Sequence, residues 1–437
     1  MPKRLYVETW GCQMNLHQSE GIVGVMERAG YLRVHRLEEA DVVLFNGCMV
    51  RQKAEDKVYG RIGAVVEQKR SRKILLGVGG CLGEIRGESL LQRFPAIDLV
   101  FGARGHEALP ELVAQAESER TINLEERLII DEVPLHRANG ITAMVTITEG
   151  CSNFCSYCVV PYARGRMRSR APRAILAEVE RAACNGYKEV LLLGQNVNSY
   201  GTDDGSIPGF AQLLGAVAAT GIERIRFTSS HPRDMRPEVA EAMARHANIC
   251  HHIHMACQSG SDRILREMNR GYTAKEFLST VSMLRSIVEG INITTDLIVG
   301  YPGETEEDFE RSMDLIEAAR FGSIFAAKYS PRPRTRSALE PDSVPGHIKD
   351  ERLQRVLQRQ REIALEENER LIGRAVDVLV EGKTRMAAWY GRSDDHRTVL
   401  IDGDAAVGEL VPVRITGASS SALAGAALVP EGAGKKP

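Results

Sequence analysis

The stretch Glu149–Arg170, EGCSNFCSYCVVPYARGRMRSR, sets Cys151, Cys155 and Cys158 in a C-x3-C-x2-C spacing and follows them with a run of arginines. Three thiols suit neither a structural zinc site, which takes four ligands, nor disulfides, which take thiols in pairs. The stretch follows TAMVTIT, the first of six apolar runs; the others are KEVLLLG, RIRFTSS, ICHHIHM, NITTDLIVG and SIFAAKYS. Helical patterns such as RAILAEVERAACNG and EEDFERSMDLIEAARFG separate them. Six β/α units predict a partial (β/α)6 barrel with its chemistry at the C-terminal ends of the strands, where the cysteine loop falls.

Upstream, a parallel α/β pattern repeats one device. RLYVETWGC, DVVLFNGC and KILLGVGGC each run from an apolar strand into a Gly-Cys pair, ending at Cys12, Cys48 and Cys81. Ligand sites in open α/β sheets lie beyond the carboxyl ends of the strands, so these cysteines should converge. A lone cysteine is more often a buried apolar residue, but the repetition favours a second three-thiolate site. Residues 116–138 are polar and irregular and read as a linker. A long charged helix, IKDERLQRVLQRQREIALEENERLIG, closes the barrel. RAVDVLVEG, TVLIDG and LVPVRITG then suggest a small β-barrel, and the Gly/Pro-rich tail reads as disordered at its end. The expected divisions are 1–117, 137–367 and 370–432.

Among 437 residues, 43% are hydrophobic and 26% charged, with a formal net charge of −2. These are ordinary globular values, so any nucleic-acid contact must come from local patches. No apolar run suits a signal peptide or a membrane span, which points to a cytoplasmic protein without membrane contact. Nine cysteines in that compartment favour metal or redox chemistry over disulfides.

Three thiolates on a four-iron cube leave one iron without a protein ligand. That iron can chelate S-adenosylmethionine, and a reduced cluster can then cleave it to a 5′-deoxyadenosyl radical, the protein supplying orientation and dryness. Phe154 and Tyr157 either shield such a cluster or pack the loop. A zinc site remains the alternative, with Cys184, His231 or the HHIH stretch as a fourth ligand.

These residues resemble the radical S-adenosylmethionine methylthiotransferases over nearly the whole chain, with a TRAM-type β-barrel at the C-terminus. TWGCQMNLHQSE, CVVPYARGR, LLLGQNVNSY, FTSSHP, QSGSDRILREMNRGYT, DLIVGYPGETEEDF and YSPRPRT carry the resemblance. They lean towards the branch that makes 2-methylthio-N6-dimethylallyladenosine in tRNA. Gly47 and Met49 beside Cys48, Ala256 and Cys257 before Gln258, and Arg334 and Arg336 depart from that branch's usual residues.

The resemblance implies two [4Fe-4S] clusters, an auxiliary one on Cys12, Cys48 and Cys81 and a radical one on Cys151, Cys155 and Cys158. It implies that one S-adenosylmethionine gives a methyl group to sulfur and a second gives the radical that activates carbon-2 of an adenine beside the anticodon. A flavodoxin or ferredoxin would supply electrons; the sulfur donor stays open. Related substrates, threonylcarbamoyladenosine in tRNA or an aspartate of a ribosomal protein, are alternatives, as is a non-catalytic zinc-dependent RNA-binding protein.

Further candidates lie at strand ends. Gly194 and Gln195 end the second barrel strand, and Gln258 and Asp296 lie near later ones, all four as S-adenosylmethionine contacts. Arg164, Arg166, Arg168 and Arg170 form a basic patch suited to the phosphates of an anticodon stem-loop. His252 and His254 share a strand face and are expected to be hydrogen-bonded core groups. From Leu371 to Gly417 six basic residues face seven acidic ones, so the C-terminal barrel offers only Lys383, Arg385, Trp389, Tyr390 and Arg392 as a cation-and-stacking surface.

Overall fold

The computed structural model describes residues 2–50, 52–124, 135–137 and 140–428. The first sheet holds six parallel strands: β1 (Arg4–Trp10), β2 (Leu32–Arg33), β3 (Val42–Gly47), β4 (Leu75–Gly79), β5 (Leu99–Phe101) and β6 (Thr121–Asn123), in the order β2-β1-β3-β4-β5-β6. β3 is buried throughout, as expected where helices cover both faces of a parallel sheet. Register places Trp10 opposite Gly47 and Asn46 opposite Gly79. Three neighbouring strands therefore end level with one another, and Cys12, Cys48 and Cys81 emerge from the same edge. β6 corrects the linker reading: its residues lie past the expected boundary at 117 and extend the sheet. The rest of that polar stretch lies largely outside the described residues.

The second unit contains β7 (Thr142–Thr146), the short pair β8 (Thr148–Glu149) and β9 (Arg168–Ser169), then β10 (Glu189–Leu193), β11 (Arg224–Phe227), β12 (His252–His254), β13 (Asn292–Val299) and β14 (Ser323–Lys328). Parallel sheets β11-β10-β7 and β12-β13-β14 join through the bridges Ile225–Ile249 and Ser230–Met255. All six predicted barrel strands form, and they make an open arc. The GETEED turn starts a helix, Glu306–Ala319, where the Thr305 side chain accepts from the Asp308 amide and Asp308 reciprocates. The long helix Gly346–Glu369 is tied to that turn by Arg352, whose guanidinium lies 2.8 Å from the buried Glu304.

A closed barrel follows, ordered β15 (Ala375–Lys383), β16 (Trp389–Ser393), β17 (Thr398–Asp402), β19 (Leu423–Ala427) and β18 (Leu410–Ala418). Val378, Val380, Val399, Val413 and Ile415 fill it. The turn after β16 inserts between the strand starts of the radical arc. Arg224 and Arg226 donate to the carbonyls of Arg392 and Ser393, each at 2.9 Å, the His251 amide donates to Asp394 at 3.0 Å, and Asn292 donates to the Asp395 carbonyl at 2.8 Å. No described helix is long and apolar enough to cross a membrane.

The first two units meet around Glu178, which is buried on the helix Pro172–Cys184. Arg170 donates to it at 2.8 Å and Arg137 at 2.6 Å, while His17 from the N-terminal unit lies 3.8 Å away. Burial pushes the carboxyl up, but His17, Arg170 and Arg137 together hold it down to about 2. Its folded value is depressed, so its stabilisation is present above the ordinary glutamate range and is lost as pH falls towards about 2. Glu178→Ala strands buried guanidinium charge and is expected to cost about 3–5 kcal/mol, read as a lower midpoint in urea unfolding at neutral pH.

Candidate active site

The level strand ends bring the N-terminal cysteines together. Cys12 is the exposed member, whereas Cys48 and Cys81 are buried. A Cβ on Gly11 would fall 2.5 Å from Cys48 Cβ, so only glycine lets the end of β1 approach the second cysteine this closely. A hydrogen bond with Cys48 holds the Cys12 thiol well below its ordinary value, and Arg164 adds to the effect; the same bond, with burial, keeps the proton on Cys48. Burial pushes the Cys81 thiol up against the opposing charge of Arg164.

The second trio sits on the loop after β8. The Cys151 amide donates to Gly165 and the Cys158 amide to Cys155, at 3.0 and 2.9 Å, winding the loop on itself. Burial and the neighbouring Cys155 push Cys158 up to about 12. Ionising such thiols therefore needs a cation among them, as ligand sites do. The buried Arg270 supplies one fixed charge: it donates to Cys155 Sγ at 3.3 Å, to the Ala256 carbonyl at 2.7 Å and to Tyr272 at 3.1 Å. Phe154 is partly exposed, edge-on to Tyr162 and covered by Arg166. Tyr157 packs with the cluster of Ile264, Met268, Tyr301 and Tyr329.

Gln195 braces this loop by accepting from the Gly150 amide at 2.5 Å, which leaves its Nε2 buried without a partner. A Cβ on Gly194 would meet Thr148 Oγ1 at 2.2 Å, so glycine is required for β10 to end against β8. Gln258 has a φ of +65° and also buries an unpartnered oxygen. His231 Nδ1 accepts from the Arg233 amide at 3.2 Å, which puts the ring proton on Nε2, and that atom too is buried without a partner. Three orphaned polar groups thus surround the loop, a condition buried side chains rarely tolerate without a ligand or water.

The Asp296 carbonyl accepts from the Gln258 amide at 2.9 Å, but its side chain points elsewhere. It lies 3.2 Å from His254 Nε2 and lines a cavity of about 670 Å³ along the inner face of β12 to β14, shared with Gln13, Ser229, Phe325 and His396. That volume suits a nucleoside-sized ligand. His252 and His254 both bond Thr294 Oγ1, at 3.0 and 3.1 Å, and both line that cavity. Among the described residues no three His, Cys, Asp or Glu side chains are close enough to hold a single metal ion.

The arginine patch is corrected by burial. Arg164 and Arg170 are 3% and 6% exposed; Arg164 is paired with Glu149 and Arg170 with Glu178, so neither offers itself to a phosphate. Arg166 is exposed and Arg168 half-buried. Arg270 escaped the sequence reading; the only mark beside it is the flanking pair Asn269 and Gly271, both of which take positive φ.

Comparison with known proteins fits this geometry. Residues 4–102 match the family described as Uncharacterized protein family UPF0004, 145–316 the Radical SAM superfamily and 369–428 the TRAM domain. A tRNA-2-methylthio-N(6)-dimethylallyladenosine synthase of Pelotomaculum thermopropionicum is 42% identical over 435 residues, 97% of each chain. One of Geotalea uraniireducens is 45% identical over 433 residues, 97% of this chain and 98% of that one. The chain belongs to the tRNA-2-methylthio-N(6)-dimethylallyladenosine synthase family. The fold is also similar to that of the radical S-adenosylmethionine methyltransferase TsrM from Kitasatospora setae. Its cobalamin- and [4Fe-4S]-bound structure matches with a TM-score of 0.58 at 15% identity, covering 77% of each chain. The structure with tryptophan and aza-SAM matches with a TM-score of 0.59, covering 77% and 75%.

In this member of the synthase family, His231 is held neutral: burial, then the charges of Arg270 and Arg233, lower its pKa to about 2. Nitrogen-15 spectra of histidine-labelled protein are expected to show His231 as the neutral Nε2–H tautomer throughout the acidic range in which the fold survives. An imidazolium signal at that residue near pH 6 contradicts the assignment.

Proposed function

We propose that this chain methylthiolates carbon-2 of N6-dimethylallyladenosine beside the anticodon of tRNA, in the cytoplasm. The observation that carries the reading is the pair of three-cysteine sites, one at the strand ends of the N-terminal sheet and one on the loop after the first strand of the radical arc, joined by the Arg164–Glu149 ion pair at 3.0 Å. Three thiolates suit a four-iron cube with one corner open, and the cube spreads its ligands wider than a single ion does. Cys12, Cys48 and Cys81 would hold the auxiliary cluster, and Cys151, Cys155 and Cys158 the radical one. When bound, the two clusters and S-adenosylmethionine supply the electron transfer, radical and sulfur chemistry that no side chain here provides.

The protein's own part is orientation and exclusion of water. Gln195 Nε2 and His231 Nε2–H present buried donors, and Gln258 Oε1 a buried acceptor, to the polar groups of S-adenosylmethionine. The cavity beside Asp296 and Gln13 offers the modified base a place between the N-terminal trio and the barrel wall. Arg166 at the mouth, and Lys383 stacked 4.2 Å over Trp389 on the C-terminal barrel, present cationic and aromatic surface to RNA. A flavodoxin or ferredoxin would serve as electron donor.

Two measurements test the reading. Oxygen-free reconstituted protein is expected to bind about eight irons with matching sulfide, four per cluster, and replacing Cys12, Cys48 and Cys81 with Ala should remove about half. Zinc without iron refutes it. In nucleoside digests of tRNA from a deletion strain, 2-methylthio-N6-dimethylallyladenosine should be lost and its unmethylthiolated precursor should accumulate. Loss of a threonylcarbamoyl derivative instead would assign the other substrate.

A further inference from the structure

Arg164 belongs to the radical loop in sequence and to the N-terminal trio in space. Its helix, Val160–Arg164, begins two residues after Cys158 but packs against Gly80–Arg86, the helix that carries Cys81. Val159 and Ala163 lie inside the hydrophobic core of the N-terminal sheet. The guanidinium donates to Glu149 at 3.0 Å and lies 3.5 Å from Gln18 Oε1. Gln18 is itself anchored, donating to the Ala103 carbonyl at 2.8 Å. Its positive charge acts on the thiols of Cys81 and Cys12, which the packing of the two helices brings beside it. Glu149, its carboxylate partner, stands two residues before Cys151. One buried cation thus faces the thiols of one trio while its counter-ion sits at the root of the other.

Such an arrangement is costly to build. A buried guanidinium needs its donors satisfied, and nothing in barrel packing requires this side chain to cross into the neighbouring unit. Donors to cysteine sulfur and nearby fixed charge are the means by which proteins set the reduction potential of an iron–sulfur cluster. We infer that Arg164 is the positioning residue of the auxiliary site: delivered by the radical loop, it places a fixed, buried positive charge beside the cluster of Cys12, Cys48 and Cys81, raising its reduction potential. Arg270, bonded to Cys155, occupies the matching place at the radical trio. The inference rests on the two-cluster reading above.

The test is an EPR-monitored redox titration of reconstituted full-length protein and its Arg164→Met and Arg164→Lys variants. Each cluster is read alone in a background where the other trio is replaced by Ala. Arg164→Met is expected to keep the auxiliary irons but lower that cluster's potential by at least about 60 mV, the one-electron equivalent of a tenfold change in the reduction equilibrium. The radical cluster should stay unchanged and Arg164→Lys should recover most of the shift. An unchanged auxiliary potential, or equal shifts in both clusters, overturns the inference. If Arg164→Met loses the auxiliary irons, Arg164→Lys decides: retained iron at near the original potential supports it, and equal loss overturns it. Only about four irons in the unmodified chain, one cluster's worth, sinks the two-cluster reading and this inference with it, whereas about eight irons with an unmoved potential sinks this inference alone.

Discussion

Buried charge at the seam between the N-terminal sheet and the radical arc is the constraint on which the rest of the molecule depends. Arg164 and Arg170 leave solvent almost completely and can do so only because Glu149 and Glu178 meet them there. Neither pair is a surface decoration: removing one partner leaves an uncompensated ion in a low-dielectric interior. His17 and Gln18, one turn into the first long helix, reach into both pairs. The two cysteine trios are therefore tied together by ion pairs that are shut away from water.

The strand ends convert that seam into a site. β1, β3 and β4 finish level because β3 and β4 are buried along their whole length and β1 pairs residue for residue with β3, so a one-residue slip would turn every side chain to the wrong face. The radical loop, wound on its own amides and braced by Gln195 and Arg270, lies on the other side of the seam. Between and below them, unpartnered groups of Gln195, His231 and Gln258 and the cavity along β12 to β14 leave room for ligands that side chains alone do not fill.

Much of this was legible in the chain. Apolar runs closing in Gly-Cys announced β1, β3 and β4, and six further runs announced the barrel arc. The parts that escaped share physical reasons. β6 hides in a polar stretch because an edge strand of three residues needs only backbone pairing. β19, Leu-Ala-Gly-Ala-Ala, lacks the branched residues that mark strands; its small side chains answer a crowded barrel wall, where a Cβ on Gly425 would fall 2.5 Å from the Arg414 carbonyl oxygen. The arginine run looked like a surface patch because charge spacing shows neither depth nor partner. Glu149 precedes Arg164 and Glu178 follows Arg170 at distances only the fold can close. Arg270, isolated in sequence, becomes meaningful only beside Cys155.

The turn of the C-terminal barrel that wedges between the strand starts of the radical arc has a mechanical consequence. Arg224, Arg226, His251 and Asn292 clamp its backbone and Asp394 from several directions, and the His396 ring rests 4.7 Å from that of His252. A module fastened this way cannot swing on a tether. Anything gripped on its far side would be presented to the cysteines at one reach and one angle, as by the fixed jaws of a caliper.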